Sequence, residues 1–339
     1  MRDYILRRLL LLPLIIVGVS FLTFLSFRFI PGSIAHVKCG FQCTDEVVAA
    51  IEHEYGLDRP WLEQYGNWLG VTEALDWVGL YPEEEEGFER DGILQGNLGT
   101  SFLTNLSVSE ELGRRLPVTL ELAGMAMIWA ILLGIPPGIL SAVRPGTIID
   151  FVVRFVSVFW LSVPSFYLAI LTITFGASWF GWSPPNFETG KAAGLFDDPI
   201  TNLETYFFPS LILSVAIAAV IMRLTRSSML EVMRNDYIRT AYSKGLRERM
   251  VVFRHALKNA MIPVMTILGL QVGALIGGAV LVEFVFALNG MGRYLIEAVV
   301  SRDLLVVQSL VLIFATSYVL INLAVDVSYA WLDPRIRYS

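Results

Sequence analysis

The 339-residue sequence predicts an all-α membrane protein with six transmembrane helices. Apolar residues make up 55% of the chain and charged residues only 17%, whereas soluble domains are about 25% charged. Six stretches without a charged residue are long enough to cross a bilayer core, which takes about 20 helical residues. None of them shows the alternating pattern of a membrane β-barrel strand. Because an isolated segment pairs its own backbone groups in lipid only as a helix, all six are predicted to be helices.

The six predicted spans occupy residues 9–27, 122–143, 155–182, 205–222, 259–282 and 304–325. Six core helices of a soluble bundle would each need a polar face, and these stretches have none. Arg2, Arg7 and Arg8 imitate the start of a signal peptide, but the apolar run is longer than a signal h-region and no small-residue cleavage site follows it. The first span is therefore predicted to stay in the membrane. Pro164 predicts a kink within the third span.

Basic residues predict the orientation of the chain, since Lys and Arg accumulate on the cytoplasmic side of membrane proteins. Residues 223–258 carry nine basic residues against three acidic ones. The basic ones are Arg223, Arg226, Arg234, Arg239, Lys244, Arg247, Arg249, Arg254 and Lys258. Arg144 and Arg154 mark the connection between the second and third spans, and the N-terminus is basic as well. We therefore expect both termini on the cytoplasmic side of the membrane.

The long segment between the first two spans has the opposite charge. It includes four consecutive acidic residues, Glu83 to Glu86, and we expect it outside the cell, with short helices around 46–55 and 61–69. The net charge of −6 comes from this segment and does not indicate a nucleic-acid partner. The predicted organisation is an N-terminal transmembrane helix in 1–30, an extracytoplasmic segment in 31–116, and a five-helix core in 117–339 with a cytoplasmic loop at about 223–262.

The two cysteines, Cys39 and Cys43, both lie in the segment predicted to be extracytoplasmic. An oxidising compartment allows a short local disulfide between them, and two free thiols remain the alternative. Two thiols without further ligands make a poor zinc site, and His36 and His53 have no regular spacing to them. No metal site is predicted.

The basic loop of residues 236–263 is predicted to form two short helices separated at Gly245, because glycine ends a helix in a left-handed conformation at little cost. Such an element fits two interpretations. It is either a docking surface for another protein or a basic amphipathic element that adheres to anionic lipid. The residues alone leave both open.

A resemblance favours docking. Arg239-Thr240-Ala241, followed by Gly245, resembles the "EAA" coupling loop of ABC importer permeases, in which an alanine and a glycine stand four residues apart. The whole of 236–263 is similar to the version of this loop in the dipeptide/oligopeptide branch. Arg239 and Thr240 replace the first Glu and Ala of the motif, as is usual in that branch.

Further stretches resemble the same branch, and they are residues 29–32, 55–61, 96–101, 115–122, 278–283 and 326–337. Ser33 and Ile34 replace the last two residues of the "PGDP" element of the branch, and Lys258 stands where many families place a proline. Residues 71–91 form an acidic insertion relative to the family. The sequence is thus identified as a permease subunit of the dipeptide/oligopeptide-type, binding-protein-dependent ABC importers.

This resemblance implies a protein of a prokaryotic plasma (inner) membrane, with the type I ABC importer permease fold and a coupling loop that seats in a groove of an ATPase. The implied loop residues are Tyr237, Arg239, Thr240, Ala241, Lys244, Gly245 and Leu246. It also implies a homologous second permease, two cytoplasmic ATPases and an external substrate-binding protein, which together import peptides or similar small solutes. The sequence has no Gly-x-x-x-x-Gly-Lys-Ser/Thr phosphate cradle. We therefore expect ATP and Mg²⁺ on the partner ATPases and no cofactor in this chain.

Polar residues within the spans or directly at their ends are the candidates for lining a transport pathway, because an unpaired polar group is costly in lipid and tends to face a wet path. They are Glu121, Gln271, Glu283, Asn322 and Asp326. Glu121 and Glu283 are predicted near outer helix ends and Asp326 near an inner end, where water can hydrate them. Hydrogen bonds between helices are the alternative role for all five.

Two other classes of function fit the sequence less well. An ion-coupled secondary transporter commonly has midplane carboxylates and an inverted repeat, and neither is visible here. A membrane enzyme needs His, Cys or acidic side chains clustered at one depth. The chain has only three histidines, His36, His53 and His255, and His255 lies in the predicted coupling loop. The required cluster is missing, so no catalytic residue is predicted.

Overall fold

A computed structural model describes residues 2–28, 44–54, 56–71, 92–189 and 194–332. Across these ranges the chain forms helices and no strand, apart from an isolated antiparallel bridge between Thr100 and Ser107. The all-α prediction is confirmed. Cys39, Cys43 and His36 lie outside the described residues, as do nearly all of the acidic insertion and the tail from Asp333.

The helices follow the predicted order with a few differences. They are α1 (Arg2–Arg28), α2 (Asp45–Glu54), α3 (Trp61–Leu69), α4 (Val108–Val143), α5 (Ile148–Ser162), α6 (Ser165–Phe180), α7 (Pro199–Met233), α8 (Asp236–Ser243), α9 (Glu248–Val285), α10 (Met291–Val300) and α11 (Leu304–Leu332). A single helical turn, Asn186–Thr189, lies between α6 and α7. Helices α2 and α3 confirm the two short helices expected between the first two spans.

Within the described residues, four helices are long and apolar enough to cross a membrane: α4, α7, α9 and the Leu304–Val325 part of α11. The pair α5 and α6 makes a fifth span if the two are counted together. The apolar part of α1, Leu10–Ser26, would be about 25 Å long, a little short of a bilayer core of about 30 Å. A count of six crossings remains a prediction.

The third predicted span is not one helix. Residues 155–182 fall on α5 and α6, whose axes differ in direction by 96°. Proline has no backbone N–H to donate and disfavours helical geometry in the residue before it. Val163 accordingly has φ −97° and ψ 122°, and Pro164, also extended, directly precedes the next helix. The kink predicted at Pro164 is confirmed as a sharp break, whereas the single helix was wrong.

The chain divides into two compact units. One comprises residues 118–293 together with α11 from Tyr318 onward. Its core lies where α4, α7 and α9 pack together through small and branched side chains, among them Ala126, Ile217, Ile221 and Leu275. This core holds α9 along α7. It thereby fixes both ends of α9, and the residues discussed below lie near those ends.

The other unit comprises residues 2–117 and 294–317. Within it, α3 packs on α1 through Tyr65, whose ring contacts Phe21 and Phe24 and whose hydroxyl lies 2.8 Å from the Ser20 hydroxyl. The start of α11 is tied to the loop before α4, since Ser101 Oγ donates to Asp303 Oδ2 at 2.5 Å. Tertiary contacts therefore order the described part of this unit.

Candidate functional site

The predicted coupling loop is built from α8 and the turn that follows it. Lys244 N donates to Thr240 O at 3.1 Å and Gly245 N to Tyr242 O at 2.9 Å, which closes the helix. Gly245 has φ 73°, in the left-handed region as predicted. No heavy atom of the described residues lies within 4 Å of the position of an added Cβ, so the backbone conformation is what demands glycine here.

The second half of the loop is not a separate short helix. Glu248 begins α9, which continues without interruption for 38 residues to Val285. A π-helical segment, Val251–Ala256, lies near its start. Neither glycine nor proline occurs between Glu248 and Ile262, so nothing in this stretch ends the helix. The predicted pair of short helices is therefore corrected to one short helix, α8, and the N-terminal end of a long one.

One face of α8 is buried. Ile238 and Ala241, three residues apart, pack with Met229, Val251 and Val252 in a small apolar cluster. Of the predicted loop residues, Ala241 is thus part of the base and Leu246 packs against the same cluster. The sequence analysis missed Ile238, although its helical spacing to Ala241 was a usable signal.

The opposite face of α8 is open. Tyr237 is 42% exposed, the Arg239 side chain is 76% exposed, and Thr240, Lys244 and Gly245 are exposed too. Asn259 Nδ2 donates to Tyr237 Oη at 2.8 Å, which links this face of α8 to α9. The five exposed loop residues therefore form one polar and aromatic surface on a fixed apolar base.

An ion pair with a buried carboxylate connects α5 and α7 in the unit that contains residues 118–293. Arg226 on α7 donates from Nε to Asp150 Oδ1 at 2.7 Å and from Nη2 to Oδ2 at 3.0 Å. Ser141 Oγ on α4 donates to Oδ1 at 2.5 Å, and Gly146 N donates to Oδ2 at 3.0 Å. A buried carboxylate needs such partners. The sequence analysis counted Arg226 only as a basic residue, because 76 positions separate it from Asp150.

The acidic candidates for the pathway make helix contacts. Glu121 Oε1 accepts a hydrogen bond from Asn202 Nδ2 at 2.7 Å, which joins α4 to α7. Glu283 is fully buried, so the expectation that water hydrates it was wrong. Its Oε2 accepts from the backbone N–H groups of Gly292 and Arg293 instead, at 2.7 and 3.2 Å. These interactions agree with the alternative, structural role.

The amide candidates are half-buried. Asn322 lies beside Gly273, since its Oδ1 is 3.6 Å from the position of an added Cβ there. That oxygen has no hydrogen-bond partner among the described residues. Gln271 is half-buried on α9, and Asp326 belongs to α11, but its side chain is outside the described atoms. In the described ranges no three His, Cys, Asp or Glu side chains come together as metal ligands.

Comparison with known proteins identifies the family. Residues 134–338 match the family model "Binding-protein-dependent transport system inner membrane component", and residues 1–123 match the model of its N-terminal part. The chain is 38% identical over 354 residues to the dipeptide transport system permease protein DppB of Alkalihalophilus pseudofirmus, with all of both chains covered. It is 38% identical over 340 residues to the glutathione transport system permease protein GsiC of Salmonella typhi, again over the full length of both.

A solved structure shows the same fold. A chain of the inward-facing MetNI methionine ABC transporter, in the CY5 SeMet soak crystal form, superposes with a TM-score of 0.51. The match covers 66% of this chain and 97% of that one at 18% sequence identity, which supports the fold alone. The type I permease fold implied by the sequence is thereby confirmed. With full-length relatives at 38% identity and both family models matched, the chain belongs to the family of binding-protein-dependent transport system inner membrane components.

Proposed function

We propose that this chain, together with a homologous second permease, forms the pathway by which short peptides or similar small solutes enter the cell. Two cytoplasmic ATPases drive transport and an external substrate-binding protein delivers the solute. The observation that carries this proposal is full-length similarity to a permease named for dipeptide transport. Relatives named for di- and tripeptides and for glutathione, itself a tripeptide, support the same substrate class.

The exposed face of α8 is the surface that docks on an ATPase in this proposal. Tyr237, Arg239, Thr240 and Lys244 project from a helix whose other face is packed in the protein. A rigid base allows a force applied to α8 to reach α9 through the buried contacts of Ile238 and Ala241. The Tyr237–Asn259 hydrogen bond adds a second link to α9.

Burial of the apolar face of α8 favours docking over adhesion to lipid. An amphipathic helix binds a membrane surface by inserting its apolar face between the headgroups. In α8 that face, with Ile238 and Ala241, is occupied by Met229 and the start of α9. What remains exposed is polar, basic and aromatic, which fits a groove on a protein partner.

The proposal assigns ATP and Mg²⁺ to the partner ATPases and no cofactor or enzymatic activity to this chain. The absence of a phosphate cradle from the sequence supports that assignment. Both termini and α8 lie on the cytoplasmic side, as the excess of basic residues around 223–258 favours. Residues 31–116 lie outside, where the binding protein approaches.

Co-purification tests the assembly. When the neighbouring permease and ATPase genes are expressed with a tagged form of this chain, we expect a stable complex that hydrolyses ATP. The tagged chain purified alone is expected to show no ATPase activity above that of a mock purification. ATP hydrolysis by the isolated chain, with contaminating ATPases excluded, would contradict the assignment of energy coupling to partner subunits.

A further inference from the structure

The turn between α9 and α10, residues 286–293, is held by hydrogen bonds from several side chains and is called here the outer turn. Ala287 in this turn has φ 53°, a left-handed conformation that side chains with a Cβ rarely adopt. Phe286, Leu288 and Met291 are all fully or almost fully buried. A strained, buried turn persists only where the surrounding structure fixes it.

Glu283 supplies the central contact of the outer turn. Its carboxylate is fully buried, two residues before the end of α9 at Val285. Oε2 accepts hydrogen bonds from Gly292 N at 2.7 Å and Arg293 N at 3.2 Å, the second and third residues of α10. The first N–H groups of a helix have no partner within the helix, and a negative charge is favourable at that end. Glu283 therefore caps α10 from α9.

Two glycines make this approach possible. A Cβ at Gly290 would lie 2.3 Å from Oε2 and 2.5 Å from Cδ of Glu283. A Cβ at Gly292 would lie 2.4 Å from the backbone Cα of Val280. Any larger residue at position 290 would displace the carboxylate. The position of Glu283 therefore depends on glycine at position 290.

Other elements of the same unit hold the turn in place. Asn186 Nδ2 donates to the backbone oxygens of Phe286 and Ala287 at 2.8 and 3.1 Å. Thr119 Oγ1 on α4 accepts from Met291 N at 2.9 Å. The outer turn is thus fixed to α4, to the Asn186–Thr189 turn and to α9, with Glu283 as its charged contact.

The helix that carries Glu283 also begins beside the docking surface. α9 runs for 38 residues from Glu248 to Val285, about 57 Å at about 1.5 Å per residue. Its outer half is packed along α7 through Leu275, Ala279 and Val282. A displacement at the inner end therefore reaches the outer end along a continuous, packed helix.

We propose that Glu283 is a positioning residue that couples the two faces of the permease, by fixing the outer turn to α9. When the ATPases move the inner end of α9, the outer turn moves with its outer end. Arrival of the loaded binding protein at the outer face is transmitted to the ATPases in the opposite direction, because coupling between two sites is reciprocal. This inference rests on the proposed function, and it removes Glu283 from the candidates that line the pathway.

Binding-protein-stimulated ATP hydrolysis tests the coupling. The complete complex is reconstituted in nanodiscs, and hydrolysis per assembled complex is measured with and without the binding protein loaded with the peptide that co-purifies with it. In Glu283→Ala, the ratio of stimulated to basal hydrolysis is expected to fall about tenfold, within the usual range of an allosteric coupling. Gly290→Ala should reproduce this loss, because its Cβ displaces an intact Glu283 carboxylate.

Two further variants separate positioning from general stability. Glu283→Gln keeps the size and an acceptor oxygen but loses the charge, so its ratio should fall between those of the wild type and Glu283→Ala. Glu297→Gln, which changes a 41%-exposed carboxylate on α10, should retain the wild-type ratio. If the Glu283→Ala complex does not assemble, the stimulation ratios of Glu283→Gln and Gly290→Ala are compared with that of Glu297→Gln to test the role of Glu283.

The possible failures are distinguishable. A wild-type complex that the loaded binding protein does not stimulate would contradict the proposed function. A stimulated wild-type complex together with fully stimulated Glu283→Gln and Gly290→Ala complexes would overturn the role of Glu283 and leave the proposed function intact. A loss of stimulation in the Glu283 and Gly290 variants, with Glu297→Gln unaffected, is the result we expect.

Discussion

Arg226 and Asp150 form a two-point ion pair between α7 and α5, with N–O distances of 2.7 and 3.0 Å. The Asp150 side chain is only 2% exposed, whereas Arg226 is 23% exposed. Removal of one partner therefore has unequal effects. Without Arg226 a carboxylate stays buried with fewer partners, while without Asp150 the guanidinium still reaches water.

Substitution of Arg226 tests this asymmetry. Arg226→Met is expected to destabilise the protein by about 3 to 5 kcal/mol, the usual effect of leaving a buried charge without its partner. Asp150→Asn should destabilise it less, and the double variant should recover part of the loss. Thermal unfolding in detergent, at equal protein amounts, measures all three variants.

Arg154 provides a matched control for that series. Its Nε lies 3.5 Å from the same Asp150 Oδ1, but its side chain is 53% exposed. An exposed ion pair contributes at most about 1 kcal/mol, so Arg154→Met should unfold close to the wild type. Equal losses in Arg154→Met and Arg226→Met would contradict the role given to the buried pair.

Gly245 tests the docking role of the loop. A side chain with a Cβ in its left-handed conformation costs about 1 to 2 kcal/mol. Gly245→Val is therefore expected to reduce transport and ATP hydrolysis by the complex together, with normal amounts of the subunit in the membrane. Uptake assays and quantitative immunoblots of the same membranes check both quantities.

Gly181→Val is the control for backbone strain. Gly181 also has a positive φ, 62°, and no heavy atom of the described residues lies within 4 Å of an added Cβ there. It directly follows α6 and is far from the loop in sequence. The complex that contains Gly181→Val should therefore keep the wild-type rates of transport and ATP hydrolysis. If the loop instead adhered to lipid, Gly245→Val would leave transport and ATP hydrolysis nearly unchanged. Neutralisation of Arg247, Arg249 and Arg254 would then have the larger effect, because each charge contributes about 1 kcal/mol to binding at an anionic membrane surface.

Ile238 tests whether α8 needs its buried base. Ile238→Ala leaves a cavity beneath the helix and is expected to cost about 2 to 5 kcal/mol locally. Hydrogen exchange of the amides in residues 236–246 should accelerate, and stimulated ATP hydrolysis should fall. Ile200→Ala, at a 73%-exposed position near the start of α7, should change neither. Unchanged exchange in Ile238→Ala would contradict the rigid base.

Cysteine labelling tests the orientation. In a background without Cys39 and Cys43, an impermeant maleimide added to intact cells should modify a cysteine at position 84 and spare one at position 248. The physical reason is the excess of basic residues in 223–258 and of acidic residues around Glu83–Glu86. The reverse labelling pattern would refute the predicted topology.

Local patterns in the sequence predicted much of the fold. The apolar runs became the long helices α4, α7, α9 and α11, because backbone pairing in lipid leaves few alternatives. Gly245 was predicted to be left-handed from its place between two helical segments. Pro164 indicated a kink, but the 96° angle depends on how α5 and α6 pack on α7, which one sequence does not contain.

Tertiary contacts account for what the sequence did not predict. Glu283 was expected in water because it lies near a helix end, yet Gly292 and Arg293 fold back to cover it. Arg226 and Asp150 are far apart along the chain, so their pairing has no local signal. Ile238 was overlooked because the motif resemblance drew attention to the exposed residues around it.

Peptide uptake by the reconstituted complex is the most direct test of the account. Proteoliposomes containing both permeases and the ATPases, supplied with the loaded binding protein on one side and ATP on the other, should accumulate radiolabelled di- and tripeptides. Uptake should require every component and should persist when ionophores collapse ion gradients. Uptake that continues without ATP or the ATPases, or that ionophores abolish, would contradict the account and favour an ion-coupled transporter.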